Sequence, residues 1–266
     1  MAPRSASVRK FLEVTGIESE DIASFFLKRN NGRITESIND YFSNPRIVKE
    51  IERRAKQENQ RALVNVSTEL RELFNKYKEE QPDPTGKPFI GIDGTLRYLS
   101  DLGYEPEDEV VLCLAELLDS QSVGQFKEDP FLKNWTKVGC NSINEMRDFI
   151  EESLKARMVN DPEYFLKIYQ YTYRFILEKN EKNLPLDMAE DYWHLLIPKQ
   201  YSKELDIFLK FMHENSKNKV TRDQWNMLLP FLEDFHEDSS LQKYDENKSW
   251  PLLMDEFYEY INGDRA

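Results

Sequence analysis

Helical spacing dominates the hydrophobic pattern of this chain. Residues 1–7 are small and polar and predict a disordered start. Three short amphipathic stretches follow, VRKFLEVTG, SEDIASFFLKRN and TESINDYF. Gly16 reads as a C-cap of the first, and Ser19 and Thr35 as N-caps of the next two. Leu12, Val14, Ile22, Phe25, Phe26, Ile34, Ile38 and Phe42 would form their shared core. Pro45 stops the third helix, which bounds a three-helix unit at residues 8–45. Residues 46–66 are basic and polar with few apolar anchors and predict a linker that is partly helical. Residues 67–80 return to a clear stripe of Leu70, Leu73, Phe74 and Tyr77. After the turn-rich QPDPTGKP, residues 89–135 read as short strand, helix, helix, short strand, helix. Within them VVLCLAELL (Val110 to Leu118) is apolar almost all round, so it is fully buried or has one face open to a ligand. Further helices are predicted to the end of the chain. The last two carry stripes of Trp225, Leu228, Leu229 and Leu232, then Trp250, Leu253, Met254, Phe257 and Ile261. Asp223 falls at the start of the first, where a carboxylate suits the helix N-terminus. Asp255 and Glu259 lie off the second stripe, facing outward. The fold class is all-α.

Charge changes the picture more than composition does. The chain has 266 residues, 32% of them charged, with 9 glycines and a net charge of −13, which suits a helical protein with a sizeable core. Residues 1–66 carry a net +3 and the remainder a net −16. An acidic body argues against nucleic acid as a partner and allows a basic protein partner. Arg46, Lys49, Arg53, Arg54, Lys56 and Arg61 in the linker read as a nuclear-localisation patch or as a solvated face. No apolar run is long enough for a membrane span, and no signal segment follows the N-terminal Met. Cys113 and Cys140 have no CxxC partner and fit free thiols in a reducing compartment. Nucleus and cytoplasm are the expected locations.

Residues 89–135 resemble a pair of EF-hands, which makes calcium testable by ligand spacing. With Ile92 at position eight of the first loop, positions one, three, five and twelve fall on Thr85, Lys87, Phe89 and Leu96, and only Asp93 at nine bears a carboxylate. With Phe126 at position eight of the second, Asp119 fits position one and Gly124 position six, while Gln121, Val123 and Pro130 fill three, five and twelve. One carboxylate does not hold the ion, so neither metal nor cofactor is expected. GxSxG, HExxH, GxxxxGK[ST] and GxGxxG are all missing, as is the zinc spacing of a RING-type ligase. The three histidines, His194, His213 and His236, are scattered. Cys113 sits in the apolar helix, unlike a reactive thiolate. Catalysis by residues of the chain itself is not expected.

Two resemblances remain. The helices of residues 8–45, ending in I-N-D-Y-F, resemble a ubiquitin-associated domain, with V-T-G-I (Val14 to Ile17) in place of its usual hydrophobic-Gly-aromatic loop. Ubiquitin is therefore a possible partner of residues 8–45. D-x-W-x-x-L-L at Asp223, the later Y-D and W-P-x-x-x-D-E-F, DGxxxYLxDLG, VGCxSI and MAxDYWxLL resemble the potentiating-neddylation domain over residues 67–262. That domain defines the defective-in-cullin-neddylation family. The resemblance implies a scaffold-type ligase accessory with two sites. One is a pocket for the N-acetylated Met of the neddylation conjugating enzyme. It would be lined by Ile92, Val111, Leu112, Leu114, Ala115, Leu118, Phe126, Phe175, Tyr192 and Leu195, with Ala115 leaving room. The other is an acidic surface for the cullin winged-helix domain, at Asp223, Ser249 and Asp255. The competing readings are that the ten lining residues are ordinary core, that the acidic residues are a solvated rim, and that the chain is a ubiquitin-binding adaptor without effect on modifier transfer.

Overall fold

The computed structural model describes residues 6–17, 19–242, 244 and 250–263. These are mainly helical, with four two-residue strands. The chain divides into two compact units. One runs to Asn75 and includes Phe131–Ser142; the other holds Lys76–Pro130 and the chain from Ile143 onward.

In the first unit α1 (Ala6–Thr15), α2 (Glu20–Arg29) and α3 (Ile34–Ser43) form the small bundle. Helix α1 begins inside the segment expected to be disordered; residues 1–5 lie outside the described residues. Phe11, Ile22, Ala23, Phe26 and Leu27 are its buried core, with Phe11 and Phe26 stacked and Tyr41 edge-on to both. Gly16 ends α1 with φ 70° and its N–H on the Leu12 carbonyl, and Ser19 caps α2 by accepting from Ile22 N–H. Thr35 does not cap α3. The helix starts a residue earlier, at Ile34, which packs against the core, and Arg33 precedes it without a side-chain cap. Pro45 ends α3 by becoming the first residue of α4 (Pro45–Val64), where its missing N–H is no loss. The basic stretch is thus one 20-residue helix, anchored on the small core by Ile47, Val48 and Ile51. Arg53 and Arg54 grip Glu50 from one and the next turn positions and hold its carboxyl down to about 2.

Helix α5 (Thr68–Tyr77) buries Leu70, Phe74 and Tyr77, and Ser67 accepts from Leu70 N–H at its start. Then come β1 (Phe89–Ile90), α6 (Ile92–Leu102), α7 (Glu109–Leu117), β2 (Phe126–Lys127) and α8 (Glu128–Val138), the order read from the sequence. Antiparallel pairing sets Ile90 opposite Phe126. Ile90, rather than Ile92, therefore holds position eight of the first EF-hand-like loop, and Asp83 holds position one. Asp83 Oδ1 accepts from Thr85 N–H, Thr85 Oγ1 and Lys87 N–H, so hydrogen bonds close a loop that a cation would otherwise organise. The D-G of the DGxxxYLxDLG phrase also has a steric reason. A Cβ on Gly94 would stand 2.1 Å from the Tyr77 carbonyl oxygen, so α6 can approach that backbone only with glycine there.

Helix α9 (Ile143–Phe149) passes through a π-helical stretch, Ile150–Lys155, into α10 (Ala156–Asn160). Asp161 caps α11 (Pro162–Ile176), which has Pro in its first turn. A second strand pair follows, β3 (Leu184–Pro185) before α12 (Leu186–Leu196), and, after α13 (Ser202–Glu214), β4 (Lys219–Val220) before α14 (Arg222–Glu237). Leu184 faces Val220. Counting from those two, ligand positions one, three, five and twelve are Leu177, Lys179, Glu181 and Met188, then His213, Asn215, Lys217 and Gln224. These loops are as poor in carboxylates as the first two. The last helix is α15 (Leu252–Asn262). Its Phe257 contacts four rings of other helices, Phe208 and Phe211 of α13 and Phe231 and Phe235 of α14. That cluster fixes how α15 lies on the unit.

Candidate functional site: an apolar helix and an acidic rim

Helix α7 is buried nearly all round, as its apolar pattern requires. Leu112, Leu114, Ala115 and, just past its end, Leu118 are in the core, as are Phe126 on β2 and Phe175 on α11. Glu116, the one charge in the run, is ion-paired with Lys167 of α11. Ser120 Oγ donates to the carbonyls of Ser122 and Gln125, which shapes the turn leading to Phe126. Tyr171 Oη donates to the Ser120 carbonyl at 2.7 Å and its ring stacks on Phe175. The end of α7 is thereby tied to the Phe175 face of α11.

Val111, Tyr192 and Leu195 are half-buried, and Ile92 is 67% exposed with its side chain against Gly124. Burial raises the Tyr192 hydroxyl pKa, with the charges of Asp191 and Glu107 adding to it. Glu107 lies in the entry to α7, so Tyr192 of α12 stands near that entry. Of the ten residues six are thus buried, three half-buried and one exposed. Ala115 does not leave a gap. It is fully buried, because α7 packs against α11 and the π-helical stretch. Cys113 is buried as well, and desolvation pushes its thiol pKa up to about 12, so it is not a nucleophile near neutral pH.

The second surface is built from the starts of α14 and α15. Thr221 and Gln224 form a reciprocal capping box that fixes the first turn of α14. Asp223 is exposed on that turn, next to buried Trp225. Gln224, Leu252, Leu253 and Glu256 line one surface cleft of about 360 Å³, with Ser216, Lys217, Asn218 and Lys219 on its other wall. The first turns of both helices therefore border the same cleft, with Asp223 and Asp255 adjacent in sequence to lining residues. Lys217 is paired with Glu256 at 2.6 Å and Lys219 with Glu181 at 3.3 Å.

Asp255 does not face freely outward. It is half-buried and accepts a hydrogen bond from Tyr244 Oη at 2.5 Å. In the sequence Tyr244 stands in a Y-D phrase that gives no sign of this contact. Ser249 lies outside the described residues. Among the described residues no three His, Cys, Asp or Glu side chains stand together to hold a metal ion, and no helix is long and apolar enough to cross a membrane.

The fold and these surfaces define a helical protein in which a UBA-like bundle precedes an EF-hand-like domain. The family model described as cullin binding matches residues 145–260, and that of a UBA-like domain matches residues 5–46. Proteins named Defective in cullin neddylation protein 1 are similar to this chain. The one from Yarrowia lipolytica is 36% identical over 189 residues, covering 71% of this chain and 76% of its own length. The one from Candida glabrata is 30% identical over 266 residues, covering 96% and 94%. DCN1-like protein 3 of Drosophila melanogaster is 32% identical over 195 residues, covering 72% and 55%. The chain belongs to the defective-in-cullin-neddylation family.

Proposed function

We propose that this chain promotes cullin neddylation as a scaffold, binding the cullin and the modifier-charged conjugating enzyme at once. The observation that carries the reading is the convergence of the α14 and α15 first turns on one cleft, with Asp223 and Asp255 each next in sequence to a lining residue. Both lie inside the span that the cullin-binding model matches. A basic patch on a cullin is the complementary surface.

The α7 region supports the second half. An N-acetylated Met carries no ammonium charge. Burying a charged amine against Leu112, Leu114 and Phe175 would cost on the order of several kcal/mol, whereas an amide needs only its hydrogen bonds met. The half-buried Val111, Tyr192 and Leu195 are the entry to such a pocket. In this reading residues 67–262 form the potentiating-neddylation domain and supply no catalytic group. Rate enhancement comes from holding the acceptor lysine near the thioester and from the raised effective concentration of two linked sites.

The test is a paired titration of Asp255→Lys and the unaltered protein with the cullin winged-helix domain and with an N-acetylated conjugating-enzyme peptide. Charge reversal should weaken the cullin about tenfold or more, ~1.4 kcal/mol, and leave the peptide unaffected. Moderate salt should narrow the gap by screening. Equal cullin affinity would make the acidic surface a solvated rim.

A second reading, a ubiquitin-binding adaptor, has one observation in its favour. Val14, Phe25 and Phe42 of the small bundle are exposed. It differs from the first in leaving neddylation unchanged.

A further inference from the structure

We propose that Tyr244 is a positioning residue for the cullin surface, orienting the Asp255 carboxylate before the partner arrives. The inference rests on the reading of Asp255 as a cullin contact.

The geometry of Tyr244 is over-determined. Its ring stacks on Tyr258 of α15 at 4.8 Å and 15°, lies parallel to Trp250 at 6.3 Å and 16°, and meets Phe231 of α14 edge-on at 6.1 Å. A ring held from three directions has one place for its hydroxyl, and that hydroxyl donates to Asp255 Oδ1. The restraint matters because of where Asp255 sits. It is in the first turn of α15, whose N-cap is Pro251 without a side-chain cap. The first-turn N–H groups of such a helix attract any nearby carboxylate. An unrestrained Asp255 would divide its time between those amides and solvent. Tyr244 instead fixes one oxygen by a neutral donor and leaves the full negative charge, with the lone pairs of Oδ2, for a basic partner. A side chain already held in its bound rotamer loses less freedom on docking, which is worth about threefold to tenfold in affinity.

The experiment is a double-mutant cycle on the full chain, titrated with the purified cullin winged-helix domain. The four proteins are unaltered, Tyr244→Phe, Asp255→Asn and the double variant. Phenylalanine keeps all three ring contacts and removes only the hydroxyl. Expected are a loss of about threefold to tenfold for Tyr244→Phe, a larger loss for Asp255→Asn, and a double variant no weaker than Asp255→Asn alone. Binding of the acetylated conjugating-enzyme peptide and the helical circular-dichroism signal should not change. Two results overturn the inference while leaving the surface assignment intact. One is a Tyr244→Phe variant that binds cullin normally while Asp255→Asn does not; the other is fully additive losses. Loss of peptide binding in Tyr244→Phe would place its effect in the fold, and also overturns the inference. Normal cullin binding by Asp255→Asn would remove the surface assignment itself and the inference with it.

Discussion

Tyr169 and Trp225 hold each other by exchanged hydrogen bonds. Tyr169 Oη donates to the Trp225 carbonyl at 2.7 Å, and Trp225 Nε1 donates to the Tyr169 carbonyl at 2.9 Å, with the two rings stacked at 5.0 Å. Both side chains are fully buried, so each polar group needs such a partner. The pair pins α11 to the first turn of α14, two residues from Asp223. It joins the helix carrying Phe175 to the helix that begins the acidic surface.

Tyr169→Phe should therefore destabilise the domain by about 1 kcal/mol, the net value of one hydrogen bond, since Phe refills the volume. Urea unfolding measures it. A variant of unchanged midpoint would show that the hydroxyl's bond adds nothing.

The four EF-hand-like loops offer too few carboxylates for calcium, and Asp83 already spends its oxygen on the Thr85 and Lys87 backbone. Thermal unfolding in excess calcium and in chelator should coincide. A midpoint several degrees higher with calcium would contradict this, since a ligand that binds only the folded state must stabilise it.

Ala115 is too deeply buried to probe the proposed pocket, because an arginine there would place a charge in the core and unfold the domain. Half-buried Leu195 is the better position. Leu195→Arg should cost little stability and weaken an N-acetylated Met-starting peptide by about tenfold or more. In the unaltered protein the free-amine peptide should bind correspondingly worse than its acetylated twin. Equal affinities for the twins would assign these residues to the core alone.

Asp101 gives a signed pH dependence. Its carboxylate accepts from Lys76 at 2.6 Å and from Tyr77 Oη, and the lysine foremost, then the tyrosine, hold its pKa below the ordinary value. The folded form therefore binds fewer protons than the unfolded form in acid. The contribution is complete above about pH 4, the range of a free Asp, and is lost as pH falls through the lower folded value. Asp101→Asn should flatten that part of the acid limb in urea midpoints taken between about pH 3 and 7. An unchanged limb would mean that the ion pair is screened away at this exposed site.

The helices and the first strand pair were legible because burial imposes periodicity. The stripes through Trp225 and Phe257 are the stripes that pack. Capping was less legible. Thr35 has the chemistry of an N-cap, yet Ile34 is drawn onto the small core and starts the helix one residue earlier. The loop register differs by two residues from that expected at Ile92, because both Ile90 and Ile92 are apolar and only pairing with Phe126 chooses between them. The basic stretch reads as a linker by composition, whereas three aliphatic residues in its first two turns suffice to dock it. Asp223 and Asp255 are proposed for the acidic surface from the sequence resemblance. The support of Asp255 was not legible there, because Tyr244 is eleven residues from Asp255 and reaches it only through the fold.

The central claim is that this chain speeds modifier transfer by holding two partners together. The most direct measurement is cullin neddylation in a purified system with and without the protein, using Asp255→Lys and Leu195→Arg as single-site controls. The account predicts faster conjugation with the unaltered protein, little acceleration with either variant, and no modifier transfer when the conjugating enzyme is left out. Equal rates with and without the protein, or full acceleration by both variants, would contradict it.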